Sequence, residues 1–366
     1  MKKVYIAVMA TFLVSAMIFA GGSSEQNSGK TVLKVLAGQS TTDAGIEKLI
    51  DAAVAAKYPD IKLQWETVDW GTGFQPKMQQ YMKSGVPDIM VGKAQDVATY
   101  GSRGVLADIS GKAYLNKVLP AAIGSGTYDG KVYGVVYNAL YQGVYYNRAL
   151  FAKAGLSVPK TQAELADVIK KFNEMGVKPF ATHFVDAWSI GNITMQFAIN
   201  DVFNKYSTWG DDFRAGLQSF VLSPEYRAAY GYNKLIYDNT WKDETFSLEQ
   251  TKCDARFVQG IAAMKVSGSW SIQNFLDVDP KADFGIFPFP NQTGDSKLIF
   301  EPNITFMKSA TTKYSDAVDK VLEVITSDKN LAQMIYDQTK TASMLVGVAP
   351  TFENPSQKDI DVYAAS

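Results

Sequence analysis

The sequence predicts an α/β protein of two domains whose first sheet is parallel. Strand and helix patterns alternate from Thr31 to Gly92 in the order βαβαβ, which sets strands side by side and helices on their faces. About 345 residues follow the first twenty, more than one domain of ordinary size. No low-complexity or proline-rich stretch divides them, so ordered crossings, and not a floppy tether, join the domains.

The elements read in order as follows. Lys2 and Lys3 precede Val4 to Phe19, which carries no charge, and small Ala20 stands at the cleavage position before a polar run. That is the order of a secretory signal peptide, expected over residues 1–20, with a flexible tether over 21–30. Its apolar core is short of the roughly 20 residues that span a bilayer. Position 21 is Gly and not Cys, so no lipid anchor is expected. Thr31 to Ala37 reads as a buried strand, and Ile46, Leu49, Ile50, Ala53 and Val54 then recur at helical spacing. Ile61, Leu63 and Trp65 alternate with polar neighbours, a half-buried strand. Phe74 to Lys83 is a helix and Pro87 to Gly92 a short buried strand. Further on, Thr161 and Glu164 form a capping box ahead of Leu165, Val168, Ile169 and Phe172, and Gly176 stops that helix. Val318, Val321, Leu322 and Ile325 repeat the helical pattern late in the chain.

Composition excludes several functions. Removing Lys2 and Lys3 leaves 34 basic against 37 acidic residues, so no positive excess draws nucleic acid or anionic lipid. Cys253 is the single cysteine, so the core alone must hold the fold. His183 is the single histidine, which rules out a zinc cluster built on histidines and a histidine relay; a structural role is its plainer reading. Asp277, Asp279 and Asp283 hint at a calcium loop, but Pro280 and Lys281 interrupt it, and a surface loop is the better reading. Gly124 to Gly130 is one residue too long for a dinucleotide fingerprint and reads as a turn. No metal and no cofactor are expected. With 6 Trp, 19 Tyr and 20 Phe, the chain is well supplied to grip flat, partly apolar ligands.

Four stretches carry a family resemblance. They are Ser84-Gly85-Val86-Pro87-Asp88-Ile89-Met90 with Gly104-Val105-Leu106-Ala107-Asp108-Ile109; Tyr128-Asp129-Gly130-Lys131-Val132-Tyr133-Gly134; Tyr145-Tyr146-Asn147-Arg148-Ala149-Leu150-Phe151-Ala152-Lys153-Ala154-Gly155-Leu156; and Gly260-Ile261-Ala262-Ala263-Met264 with Gly268-Ser269-Trp270. In this order, over residues 31 to 350, they resemble extracellular solute-binding protein family 1, the sugar-binding subunits of ATP-binding-cassette importers in bacteria. Val136 and Gln162 stand where that family usually has Pro and Trp.

The resemblance implies the two-lobed periplasmic-binding-protein fold of type II, with a ligand cleft between lobes joined by hinge crossings. The first lobe is then residues 31–137 plus about 300–346, and the second 138–299 plus about 347–366. Family members usually run some tens of residues further, so a truncated C-terminus is expected. The implied function is capture of a mono- or oligosaccharide outside the cytoplasm and delivery to the importer's permease subunits. The protein is expected to be a monomer, with no enzymatic chemistry and no nucleic-acid partner. A secreted glycosidase and a ligand sensor of the same fold are the alternatives.

Site candidates follow from strand ends, where open α/β sheets place ligands. An indole covers the C–H face of a pyranose while polar side chains reach its hydroxyls. Trp270 follows Gly268-Ser269, Trp70 follows Asp69 after the second strand, and Trp188 lies in an irregular stretch between helices. Trp65, Trp209 and Trp241 are expected to be structural. The polar candidates are Gln39 after the first strand, Gln95 and Asp96 after the third, Asn138 at the hinge, and Glu301 and Asn303 before the strand from Ile304 to Met307. Asp69 joins them because a carboxylate accepts strongly from neighbouring hydroxyls.

Overall fold

The computed structural model describes residues 29–70, 73–348 and 354–364; the leader and most of the tether expected ahead of Thr31 lie outside them. Strands β1 (Thr31–Gly38), β2 (Ile61–Val68) and β3 (Ile89–Lys93) pair in parallel with β1 in the middle, as the βαβαβ pattern requires. Alternation along β1 serves two faces. Leu33, Val35 and Ala37 enter one core with Ile50, Val54, Val318 and Leu322, while Leu36 enters another with Phe74, Met78 and Met90. Each of these side chains larger than Ala37, fully buried, contributes about 1.5–3 kcal/mol of transfer free energy.

The chain next forms a hairpin, β4 (Thr127–Tyr128) and β5 (Lys131–Val132). Asp129 and Gly130 turn it with positive φ of 47° and 72°, the backbone of a type I′ turn. Strand β6 (Gly134–Val136) completes the first sheet at its edge. After Tyr137 the chain leaves that sheet. The ten-residue β7 (Asn138–Asn147) is the central member of a second one, which adds β8 (Lys178–Phe180), β9 (Ala262–Gly268) and β10 (Phe284–Phe287). Here too the side chains alternate: Val144 and Tyr146 pack with Phe172, Phe180 and Phe287, whereas Tyr145 packs with Phe275, Phe284 and Ile286. The helix Gln162–Glu174 begins with its capping box intact, Thr161 accepting from the Glu164 N–H at 3.2 Å, and Gly176 follows it at φ 71°.

Strand β11 (Ile299–Pro302) pairs with β7, and one residue later β12 (Ile304–Lys308) enters the first sheet between β3 and β6. A third passage follows the helix Lys329–Thr339, where β13 (Ala342–Ser343) returns to β7. The first sheet is therefore mixed: β12, which arrives from the second sheet, runs antiparallel to both its neighbours, β3 and β6. The C-terminal helix Gln357–Ala364 docks on β10. Arg148 pairs with Asp359 at 2.6 Å and with Asp283 at 3.2 Å, and Asp359 also accepts from the Ile286 N–H at 3.0 Å. That carboxylate occupies a donor on the edge of β10 that would otherwise be open to another strand.

Candidate functional site

Each sheet ends one central strand in a glycine covered by an indole. In the first sheet, a Cβ built on Gly38 would fall inside the ring of Trp70, so only glycine lets the indole lie there. Trp70 is held by a hydrogen bond from Nε1 to Ser40 Oγ at 2.7 Å and by Phe74, whose ring centre is 4.9 Å away. Gln39, exposed between them, donates its backbone N–H to the Val68 carbonyl at 2.7 Å. Asp69 is exposed at the end of β2, with its carbonyl accepting from Gly73 and Phe74.

In the second sheet, a Cβ on Gly268 would fall inside the ring of Trp270, which sits in a 3₁₀ turn, Ser269–Ser271. Trp188 meets Trp270 edge to face, with ring centres 6.1 Å apart. The irregular stretch expected around Trp188 is in fact the first turn of the helix Ala187–Ala198; Ser189 starts it by donating its N–H and hydroxyl to the Asp186 carbonyl. Trp188 stays 39% exposed, so it presents a face, whereas the Nε1 of Trp270 is buried without a hydrogen-bond partner. His183 lies behind Trp188 at 5.3 Å. Burial first, and the Lys265 charge second, push the His183 pKa down to about 3, which leaves it neutral. Trp209 is buried, Trp65 donates to Asp51 at 2.9 Å, and Arg256 covers Trp241 at 4.5 Å.

Polar groups connect the two platforms through the crossings. Asp96, in the first turn of the helix Ala94–Gly101, accepts from the Lys93 N–H at 2.9 Å and from Gln75 at 3.0 Å. Burial raises its pKa against the pull of those bonds. Gln95 beside it is exposed. Glu301 accepts from the Gln142 amide, whose oxygen accepts in turn from Asn192 at 2.7 Å. Gln196 donates to Asn192 at 3.1 Å and to the Ser267 carbonyl at 3.3 Å. Burial raises the Glu301 pKa, opposed by the Lys93 charge and by Gln142. Asn138 ties all three passages together: its Oδ1 accepts from the Ile304 N–H at 2.9 Å and its Nδ2 donates to Thr341 at 2.8 Å. The Asn303 Oδ1 is buried with no partner.

Several of these residues escaped the sequence reading: Ser40, Phe74, Lys93, Gln142, Asn192 and Gln196. A signal existed for two of them. Asn192 and Gln196 stand four apart on a helix that is otherwise apolar around Ile193 and Phe197, a polar stripe facing something that needs hydrogen bonds. Among the described residues no group of three or more His, Cys, Asp or Glu is arranged to hold a metal ion.

Two α/β lobes joined by repeated crossings, with an aromatic platform at a strand end of each, define a two-lobed binding protein. The sequence model described as bacterial extracellular solute-binding protein matches residues 37–332, and the chain belongs to that family. Among curated relatives, the multiple sugar-binding protein of Streptococcus mutans serotype c is 23% identical over 344 residues, covering 92% of this chain and 80% of the relative. Among solved structures, the solute-binding protein RafE in complex with raffinose superposes with a TM-score of 0.75 at 22% identity, over 89% of this chain and 85% of that one. A chitin oligosaccharide binding protein gives 0.78 at 21%, over 92% and 87%.

Proposed function

We propose that this protein captures a neutral mono- or oligosaccharide outside the cytoplasm, without altering it, and delivers it to the permease subunits of an ATP-binding-cassette importer. The observation that carries this reading is the paired platform, Trp70 on Gly38 and Trp270 on Gly268, one from each sheet. An indole laid flat on backbone offers its open face to the apolar side of a sugar ring. Glu301 and Asp69 supply acceptors at the rim, with Gln39, Gln95, Asn303 and Trp188 bordering them, while Asp96, buried and engaged by the Lys93 N–H and Gln75, shapes the floor behind them. Asn138 acts in this reading as the staple of the hinge. The relatives named for sugars support the ligand class, and the family's extracellular character supports secretion through a cleaved leader. In this reading the protein acts as a monomer.

A thermal-shift panel of neutral oligosaccharides, raffinose and chitin oligomers among them, tests the reading. A ligand at about a hundred times its Kd stabilises the folded form by about 2.7 kcal/mol, a rise of roughly 4 °C in Tm for a chain of this length. No shift with any sugar would sink the proposal, and chromatography showing a cleaved sugar would sink its non-enzymatic part.

Ligand contacts from both lobes are complete only when the cleft is shut, so the ligand favours the closed form, and that differential affinity is what shifts the population. The lobes are taken as residues 31–137 with about 300–346, and 138–299 with about 347–366. Small-angle scattering is expected to show a smaller radius of gyration at saturating sugar; an unchanged radius would remove the hinge from the mechanism.

A further inference from the structure

We infer that Lys93 and Glu301 are two halves of one recognition element: Lys93 donates to a ligand hydroxyl oxygen while Glu301 accepts that hydroxyl's proton. The inference rests on the sugar-binding reading above and names a specificity residue within it. Lys93 ends β3, and the pairing of Lys93 with Ile304 brings it beside the passage that carries Glu301. The Ala94 N–H fixes this junction by donating to the Asn303 carbonyl at 3.0 Å. Lys93 Nζ lies over the Trp70 ring, 5.2 Å from its centre, so a sugar that reaches this indole meets the ammonium.

The pair is split. Among the described residues Lys93 forms no ion pair, and its ammonium is met by the Trp70 ring alone. Asp96 is occupied by the Lys93 backbone N–H and by Gln75. Glu301 accepts from Gln142 with one oxygen, and its other oxygen has no hydrogen bond among the described residues. Burial lowers the Lys93 pKa and raises that of Glu301, and each charge partly offsets the loss for the other across the gap.

Charges partly withdrawn from water and held apart from one another are costly, and a group that donates and accepts at once relieves both. A hydroxyl does this without adding charge. A ligand carboxylate would satisfy Lys93 but face Glu301 and Asp96, and a ligand ammonium would face Lys93. The chemistry therefore selects a neutral sugar with a free hydroxyl at this position.

Titration calorimetry on the full chain, K93M, E301Q and the double variant tests this, using raffinose, a chitin trimer and trigalacturonate, with K93Q as a second substitution should K93M not fold. Each single variant is expected to weaken binding of the neutral sugar about tenfold to a hundredfold, since a buried polar group is left unpaired. The double variant is expected to be no weaker than the worse single one, because both residues read the same hydroxyl; a purely structural role would give effects that add. Melting curves without sugar should stay level or rise in K93M. Wild-type binding that K93M and K93Q leave unchanged, additive losses, or tighter wild-type binding of trigalacturonate that K93M abolishes would each overturn the inference alone. Failure of the wild-type protein to shift with any sugar in the panel would overturn the reading beneath it as well.

Discussion

Replacing Trp270 with alanine is expected to weaken sugar binding roughly tenfold to a hundredfold while the fold survives. Loss of a stacked indole removes about 1.5–3 kcal/mol of apolar contact, which is that range in Kd. The structure says why the loss falls on the ligand. Trp270 follows the end of β9, lies over Gly268 and meets Trp188 only by its edge, so its contribution to packing is small. Its Nε1, buried without a partner, also has a hydrogen bond to give. A second substitution separates platform from bulk: Gly268→Ala keeps the indole but puts a methyl group where the ring lies, and is expected to lose most of the same affinity. Calorimetry paired with melting curves decides the matter. Unchanged Kd in Trp270→Ala, with a fall of several degrees in Tm, would make the indole a core residue instead.

The sequence made the local elements legible because local rules set them. Alternation at Ile61, Leu63 and Trp65 follows from a strand with one face in the core, and the capping box at Thr161 and Glu164 from unpaired N–H groups at a helix start. The antiparallel return of β12 followed from no such rule, since it depends on where a chain arriving from the other sheet finds space. The site divides along the same line. Trp70 and Trp270 stand out because strand ends and glycines are visible in the sequence. Lys93, Gln142 and Asn192 do not, because they come near Glu301 only through pairings between distant segments, Lys93 with Ile304, Leu140 with Glu301 and Gln142 with Gly268. Asn138 shows the limit of position alone: it occupies a strand end, yet both atoms of its amide are engaged in joining the crossings. The C-terminal residues gave no motif, and their place on β10 depends on Arg148, two hundred residues earlier, meeting Asp359.

Removal of the Asp254 side chain is expected to be the most damaging single change in the second lobe. Lys265 and Asp254 form an ion pair at 3.1 Å with their side chains 1% and 0% exposed. Lys265 stands in β9, in register with Tyr145 of β7, and Asp254 on the helix Gln250–Val258 that packs beside it. Asp254 also accepts from Asn274 at 3.0 Å, so it joins the strand to two helices. Replacing it with alanine strands an ammonium where water cannot reach, and breaking a buried pair in this way costs about 3–5 kcal/mol. The same reasoning gives the opposite result for a paired change. Lys265→Met with Asp254→Leu removes both charges and keeps the branching and length of the side chains, and such exchanges are often neutral or stabilising by about 1–4 kcal/mol. Urea unfolding of the sugar-free protein should therefore show a large loss for Asp254→Ala and near-complete recovery in the double variant. A loss below about 1 kcal/mol for the single change would mean that Lys265 finds water or another acceptor. The consequence reaches the site, because β9 ends in Gly268 beneath Trp270. With the ammonium unpaired that strand end loses its anchor, and sugar affinity is expected to fall in Asp254→Ala and return with the double variant.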